Sequence, residues 1–140
     1  MEKTRYQQGI DKLMTYTSET GPTHLQIAEN LKDIAPDVSK YIMEFAYGDI
    51  YSRNGLTNQQ RALVTVSSLI TQGTEPQLEL HMNTALTSGV TAEELVEVIT
   101  QLIPYTGFPR VLNALTVAKK VFADRDISVD TRKVEQSQSL

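Results

Sequence analysis

The amino-acid sequence predicts an all-α, single-domain protein, a bundle of about six to seven helices. Three observations lead there. Apolar residues recur at helical spacing in segment after segment, the alternation that marks strands is nearly absent, and Gly, Pro and helix-capping residues punctuate the segments. A chain of 140 residues can bury one substantial core but not two independent ones.

The elements follow in order. Between Lys3 and Met14, the residues Tyr6, Ile10 and Leu13 lie on one helical face, and the run Thr17-Ser18-Glu19-Thr20-Gly21-Pro22 breaks the pattern. A short helix is expected from His24 to Leu31. Pro36 suits a first helical position and opens another through Val38, Ile42, Phe45 and Ala46, before a turn at Asn54-Gly55. Thr57-Asn58-Gln59-Gln60 has capping-box form and starts a helix that is apolar nearly all round from Ala62 to Ile70, as a helix buried on several sides must be. Gly73-Thr74-Glu75-Pro76 restarts the chain into a helix with Leu78, Met82, Ala85 and Leu86 on its apolar side, ending at Gly89. A second capping box, Thr91-Ala92-Glu93-Glu94, begins a helix with two apolar faces, Leu95, Val98, Ile99 and Leu102 on one, Val96 and Ile103 on the other. Two faces need two partners, so the second is expected to meet another subunit. Pro104 is expected to kink this helix and Gly107-Phe108-Pro109 to break it, ahead of an amphipathic helix through Val111, Leu115, Ala118 and Phe122. The domain is expected to span residues 1–126, and residues 127–140, which lack periodicity, to form a flexible tail.

Composition excludes several functions. The net charge of -4, with its 13 Lys and Arg scattered, lacks the basic stripe that neutralises a nucleic-acid backbone. No cysteine occurs, so disulfides, thiolate nucleophiles and thiol redox chemistry are out of reach. The opening residues carry no apolar run behind their charges and do not read as a secretory signal, and the uncharged stretch from Ala62 to Thr74 is too short to span a membrane. A cytoplasmic protein without nucleic-acid or membrane partners is expected.

Histidine chemistry has two candidates. His24 sits beside a loop, whereas His81 lies between Leu78 and Ala85 and borders an apolar face, either as a core-edge residue bonded to a neighbour or as an acid–base group. A lone histidine beside Gln77, with no cysteine, does not assemble a zinc or iron site, so no metal is expected. Tyr105 follows the helix-interrupting Pro104, where its hydroxyl either faces a pocket or packs at a helix end. Arg53, Arg61 and Arg110 lie at element boundaries, where a guanidinium fork either grips a carboxylate or is solvated.

The stretch Phe45-Ala46-Tyr47-Gly48-Asp49-Ile50-Tyr51-Ser52-Arg53-Asn54-Gly55-Leu56-Thr57, followed by Arg61, resembles the segment that leads into the core of 4-carboxymuconolactone decarboxylases. His81, the run Ser88 to Leu95, Tyr105-Thr106-Gly107-Phe108-Pro109-Arg110 and Asn113-Ala114-Leu115 continue the resemblance to the wider carboxymuconolactone decarboxylase family, over Ala35 to Ala123. Tyr47 and Tyr51 stand where tryptophan is usual, Asp49 and Gln77 where glutamate is usual, and Thr106 where cysteine is usual.

The resemblance implies an alkylhydroperoxidase D-like helical fold in ring-forming homo-oligomers, trimers or hexamers. It offers two chemistries. The peroxidase branch places a Cys-x-x-Cys pair at positions held here by Thr74 and Gln77, and a glutamate at the position of Ala62, so that branch is rejected. The decarboxylase branch uses an unsaturated lactone whose conjugated carbonyl absorbs the electrons left by carbon dioxide, so no cofactor is called for. It implies an acid, His81, with Tyr105 for oxyanion or orienting contacts. The substrate-binding residues would be Arg53, Arg61, Arg110, Tyr47 and Gln77.

Overall fold

The computed structural model describes residues 1–17 and 23–135. In chain order these form α1 (Arg5–Met14), α2 (His24–Asn30), α3 (Val38–Tyr41), a π-helical segment (Ile42–Tyr51), α4 (Asn58–Gln72), α5 (Glu75–Thr87), α6 (Ala92–Gln101), α7 (Ile103–Thr106), α8 (Phe108–Asp124) and α9 (Thr131–Val134). There is no strand among the described residues. Setting aside the single turns α3, α7 and α9, the described residues hold six α-helices and the π segment, in line with the expected bundle. The breaker run beyond Thr17 lies outside the described residues.

Local sequence explains most boundaries. The Thr57 and Thr91 side chains accept from the backbone N–H groups of Gln60 and Glu94, whose side chains accept in return from the cap residues' N–H, and Thr4 with Gln7 and Thr23 with Gln26 build the same box. Each box satisfies two N–H groups that the helix start leaves without a helical partner. Gly73 and Gly107 stop their helices at φ +76° and +90°, a conformation that costs a residue with a Cβ. Pro104 does not kink a continuous helix. It falls in the first turn of the separate helix α7, where no backbone N–H is needed.

The helix expected from Pro36 through Ala46 takes another form. After one α turn the chain widens into π geometry from Ile42 to Tyr51, a rare register that periodicity in sequence does not announce. Met43 and Tyr47 of this segment pack with Leu13 and Tyr16 to make a small core against α1. The crossing is close: a Cβ on Gly9 would stand 1.8 Å from the Met43 carbonyl oxygen, and one on Gly48 2.7 Å from that of Arg5. A salt bridge from Arg5 to Asp49 borders the same crossing.

The main core joins α4, α5, α6 and α8 through Val66, Ile70, Leu78, Met82, Leu95, Ile99, Val111 and Val121. Each such side chain contributes roughly 1.5–3 kcal/mol on burial. The second face of α6 finds a partner within the chain, since Val96 and Ile103 pack against this core. Val96 also lines an apolar cleft with Leu115, Ala118, Phe122, Ile127 and Val129. The expected tail therefore begins inside packed structure. Ile127 and Val129 lie against the core and Thr131–Val134 forms a helical turn, while residues 136–140 are outside the described residues. Among the described residues no helix is long and apolar enough to cross a membrane.

Candidate active site

The two cores meet along a polar seam. On α5, Gln77 and His81 are one turn apart, so they share a face by helical geometry alone. From the other side, the Thr23–Gln26 capping box sets His24 as the first residue of α2, and the π segment supplies Tyr47 and Tyr51. These pieces converge on His24. Its Nδ1 lies 2.8 Å from the Tyr47 hydroxyl and its Nε2 3.0 Å from Oε1 of Gln77. The His24 and His81 rings stand 4.9 Å apart between centroids, tilted by 57°. Tyr47 meets Tyr51 edge-on at 5.0 Å, Tyr16 packs on both, and the Tyr51 hydroxyl is 3.4 Å from Oγ1 of Thr65 on α4.

Burial sets the protonation states. His81, only 5% exposed, is pushed down to about 3, chiefly by loss of solvent and secondarily by His24. His24 is lowered for the same first reason, against the opposing hydrogen bond to Gln77. Burial, with Tyr51 nearby, raises the phenols of Tyr47 and Tyr16, the latter up to about 12 although Arg61 opposes the shift. At neutral pH the cluster is thus two uncharged imidazoles among protonated phenols, and His81 in the unliganded chain is not a standing imidazolium.

A cavity of about 340 Å³ opens beside this cluster. His24, Tyr47, Tyr51 and Gln77 form its polar side, and Ile27, Leu31, Val38, Ile42 and Ala46 its apolar side. His81 is not part of that wall; it adjoins the His24 ring. Among the described residues, no three of histidine, aspartate and glutamate cluster closely enough to ligate a metal ion.

The structure brings His81, Gln77 and Tyr47 together and sorts the remaining candidates. Tyr105 is 84% exposed on α7 and does not line this cavity, because the break at Leu102 turns α7 out to the surface instead of inward along α6. Arg53 and Arg110 are also exposed, and neither lines it. Arg61 does not line it either, but it is partly buried. One of its Nη atoms donates to the Arg53 carbonyl at 2.8 Å, while its Nε is buried with no partner among the described residues. The hydroxyl of Tyr16, which feels the Arg61 charge, is likewise buried and without a partner. Leaving such groups unpaired costs about 1–3 kcal/mol each, so this corner is suited to an oxygen-rich ligand or water.

Sequence reasoning weighed His24 but chose His81 over it, and it passed over Tyr16. The signal for His24 was the Thr23-x-x-Gln26 box, which fixes it as the first residue of the expected helix. For Tyr16 no local signal existed. Together the seam places an imidazole, two phenols and an amide around a small, mostly apolar space, with the under-satisfied Arg61 guanidinium outside its wall, an arrangement fitted to a small organic ligand.

Comparison with known proteins agrees with that chemistry. The sequence profile of the carboxymuconolactone decarboxylase family matches residues 36–120. The chain is 35% identical to 4-carboxymuconolactone decarboxylase of Acinetobacter baylyi over 128 residues, 91% of this chain and 93% of that protein. It is 32% identical over 98 residues to an uncharacterized 15.0 kDa protein of Paracoccus denitrificans, 69% of this chain and 73% of that one. It is 35% identical over 83 residues to nitrosuccinic acid decarboxylase of Metarhizium robertsii, 59% of this chain and 58% of that one. With matched motifs, an all-helical bundle and near full-length similarity in agreement, the chain belongs to the carboxymuconolactone decarboxylase family.

Proposed function

We propose that the protein is a carboxy-lyase that decarboxylates a small unsaturated lactone or carboxylic acid, of the type that converts 4-carboxymuconolactone to 3-oxoadipate enol-lactone. The observation that carries this reading is the buried His81, in ring contact with His24 beside a small cavity and polar wall, in a chain similar over nearly its whole length to a decarboxylase of that substrate. The bond between the ring carbon and the carboxylate breaks, carbon dioxide leaves, and the electron pair enters the conjugated carbonyl as a dienolate. Because the substrate is its own electron sink, the reaction calls for no cofactor. A proton then returns to carbon. His81 is our choice of donor: a bound carboxylate adds negative charge that favours its imidazolium, and burial makes that imidazolium a strong acid once formed. Of the three candidate arginines, none of which lines the cavity, Arg61 is favoured for the spectator carboxylate by its unpaired buried Nε.

The test is direct. Purified protein is incubated with the lactone, and ultraviolet absorbance and carbon dioxide release are followed. Wild type is expected to turn over, His81→Ala to lose about 100-fold or more in kcat, as general-acid removal does, and Arg61→Ala to raise KM. Equal rates in wild type and His81→Ala would sink the assignment. Gln77, standing where the resembling decarboxylases have glutamate, favours a second reading in which a related small acid is the substrate; ligand-induced stabilisation without product from the lactone would favour it. We also infer a homo-oligomer, since Tyr105, Phe108 and Leu112 leave apolar surface exposed on α7 and α8. Light scattering at the mass of one chain would contradict that.

A further inference from the structure

We propose that His24 is a positioning residue of this site, fixed as its Nε2–H tautomer between Gln77 and Tyr47 so that the Gln77 amide turns its N–H donors to the cavity.

The hydrogen-bond inventory fixes the directions. Oε1 of Gln77 has only lone pairs, so at 3.0 Å it accepts, and Nε2 of His24 must carry the hydrogen. A neutral imidazole carries one N–H, so Nδ1 is then an acceptor and the Tyr47 hydroxyl, 2.8 Å away, donates to it. Both ring nitrogens are spent on protein neighbours, which leaves His24 little to offer a ligand directly. Its effect lies in what it leaves free. With Oε1 occupied, Gln77 retains two N–H donors, and Gln77 lines the cavity. Tyr47, which lines the same cavity, has its one hydroxyl proton engaged by His24. A glutamine without His24 could rotate its amide and present either oxygen or nitrogen. Against an anionic substrate these are opposite outcomes, since the nitrogen attracts a carboxylate or carbonyl oxygen and the oxygen repels it. His24 is thus the residue that gives the wall one polarity.

Half-buried at the start of α2, His24 also joins the two cores: it reaches Tyr47 on the α1 side and Gln77 on the main-core side. Its ring is the contact through which His81 adjoins the cavity wall. The kinetic part of this inference rests on the decarboxylase reading; the tautomer does not.

The experiment therefore has two arms. With only two histidines in the chain, nitrogen-15 and proton NMR resolves both rings. In wild type at neutral pH His24 is expected as the Nε2–H tautomer, and Gln77→Leu is expected to release it toward Nδ1–H, which the Tyr47 oxygen then accepts. A wild-type ring found as Nδ1–H or as a mixture, or a ring indifferent to Gln77→Leu, would overturn the proposal whatever the enzyme's activity. In the kinetic arm, with 4-carboxymuconolactone as the probe, His24→Phe and Gln77→Leu are each expected to raise KM about 10-fold, the loss of one oriented donor to a charged oxygen. Their combination is expected to be no worse than either alone, because they remove one function. His24→Gln, which keeps a donor for Gln77, should recover most of the KM. Additive KM effects, or a His24→Gln variant no better than His24→Phe, would refute the positioning role. If wild type leaves the lactone unchanged while the tautomer behaves as stated, the decarboxylase reading fails and the assignment of His24 stands.

Discussion

Gly9→Ala probes the crossing on which the site is built. An added Cβ would stand 1.8 Å from the Met43 carbonyl oxygen, 2.6 Å from its carbon and 3.1 Å from its Cα. Real Cβ contacts do not fall below 3.0 Å, so the two backbones must part by at least about 1.2 Å. The obstacle is main chain, which cannot rotate aside as a side chain does. Alanine gains up to about 1 kcal/mol of helix propensity over glycine, against overpacking that costs about 1–3 kcal/mol or more. Because the clash is with backbone the upper range applies, and a net loss of about 2 kcal/mol is expected. For a chain of this size that lowers Tm by roughly 5–8 °C. Gly55→Ala, whose Cβ would meet nothing within 4 Å, serves as the control and should stay within about 0.5 kcal/mol of wild type. Because Tyr47 lies one helical turn past Met43, the displaced π segment should also weaken the hydrogen bond from Tyr47 to His24, and lactone turnover should fall with stability. Urea unfolding of both variants decides the matter. A Gly9→Ala protein as stable as wild type, or more stable by the propensity gain, would refute the close crossing.

Two further predictions follow from the seam and from the far end of α8. His81 binds its proton far less readily in the folded chain, at about 3 against an ordinary 6.5, so the unfolded state takes up protons first. Stability should then be complete above pH 6.5 and decline as pH falls toward 3, by at most about 5 kcal/mol; His24, lowered in the same direction, adds to the slope. Denaturant unfolding across that range should show a shallower decline in His81→Gln, and parallel curves would contradict the burial argument. Arg125 ties the end of α8 to α5, donating from Nε to Oδ1 of Asn83 at 2.8 Å and from one Nη to the Asn83 carbonyl and the Thr87 hydroxyl. Arg125→Ala should cost about 1–3 kcal/mol by stranding the buried Asn83 amide, and Arg125→Lys should not restore it because an ammonium cannot reproduce the fork. Equal urea midpoints for Arg125→Lys and wild type would show that charge alone suffices.

The sequence by itself determined what neighbours along the chain decide. Helix starts at Thr57 and Thr91 were legible because a capping box is a bond between residues three apart, and helix ends at Gly73 and Gly107 because a positive φ favours glycine. Gln77 and His81 shared a face for the same local reason, and the ordered motifs sufficed for the family. Tertiary structure alone decided the rest. His24 reaches Gln77 across 53 positions, a distance in sequence over which no periodicity carries information. Arg61 stood apart from Arg53 and Arg110 only when packing buried its Nε, and Tyr105 came out to solvent because the chain breaks at Leu102. Val96, on the second face of α6, shares a cleft with Ile127 and Val129, which lie in a stretch too short and irregular to show a period. The π register around Tyr47 arises where α1 presses its backbone against Met43 through Gly9, a contact between surfaces that the order of residues along either one does not specify.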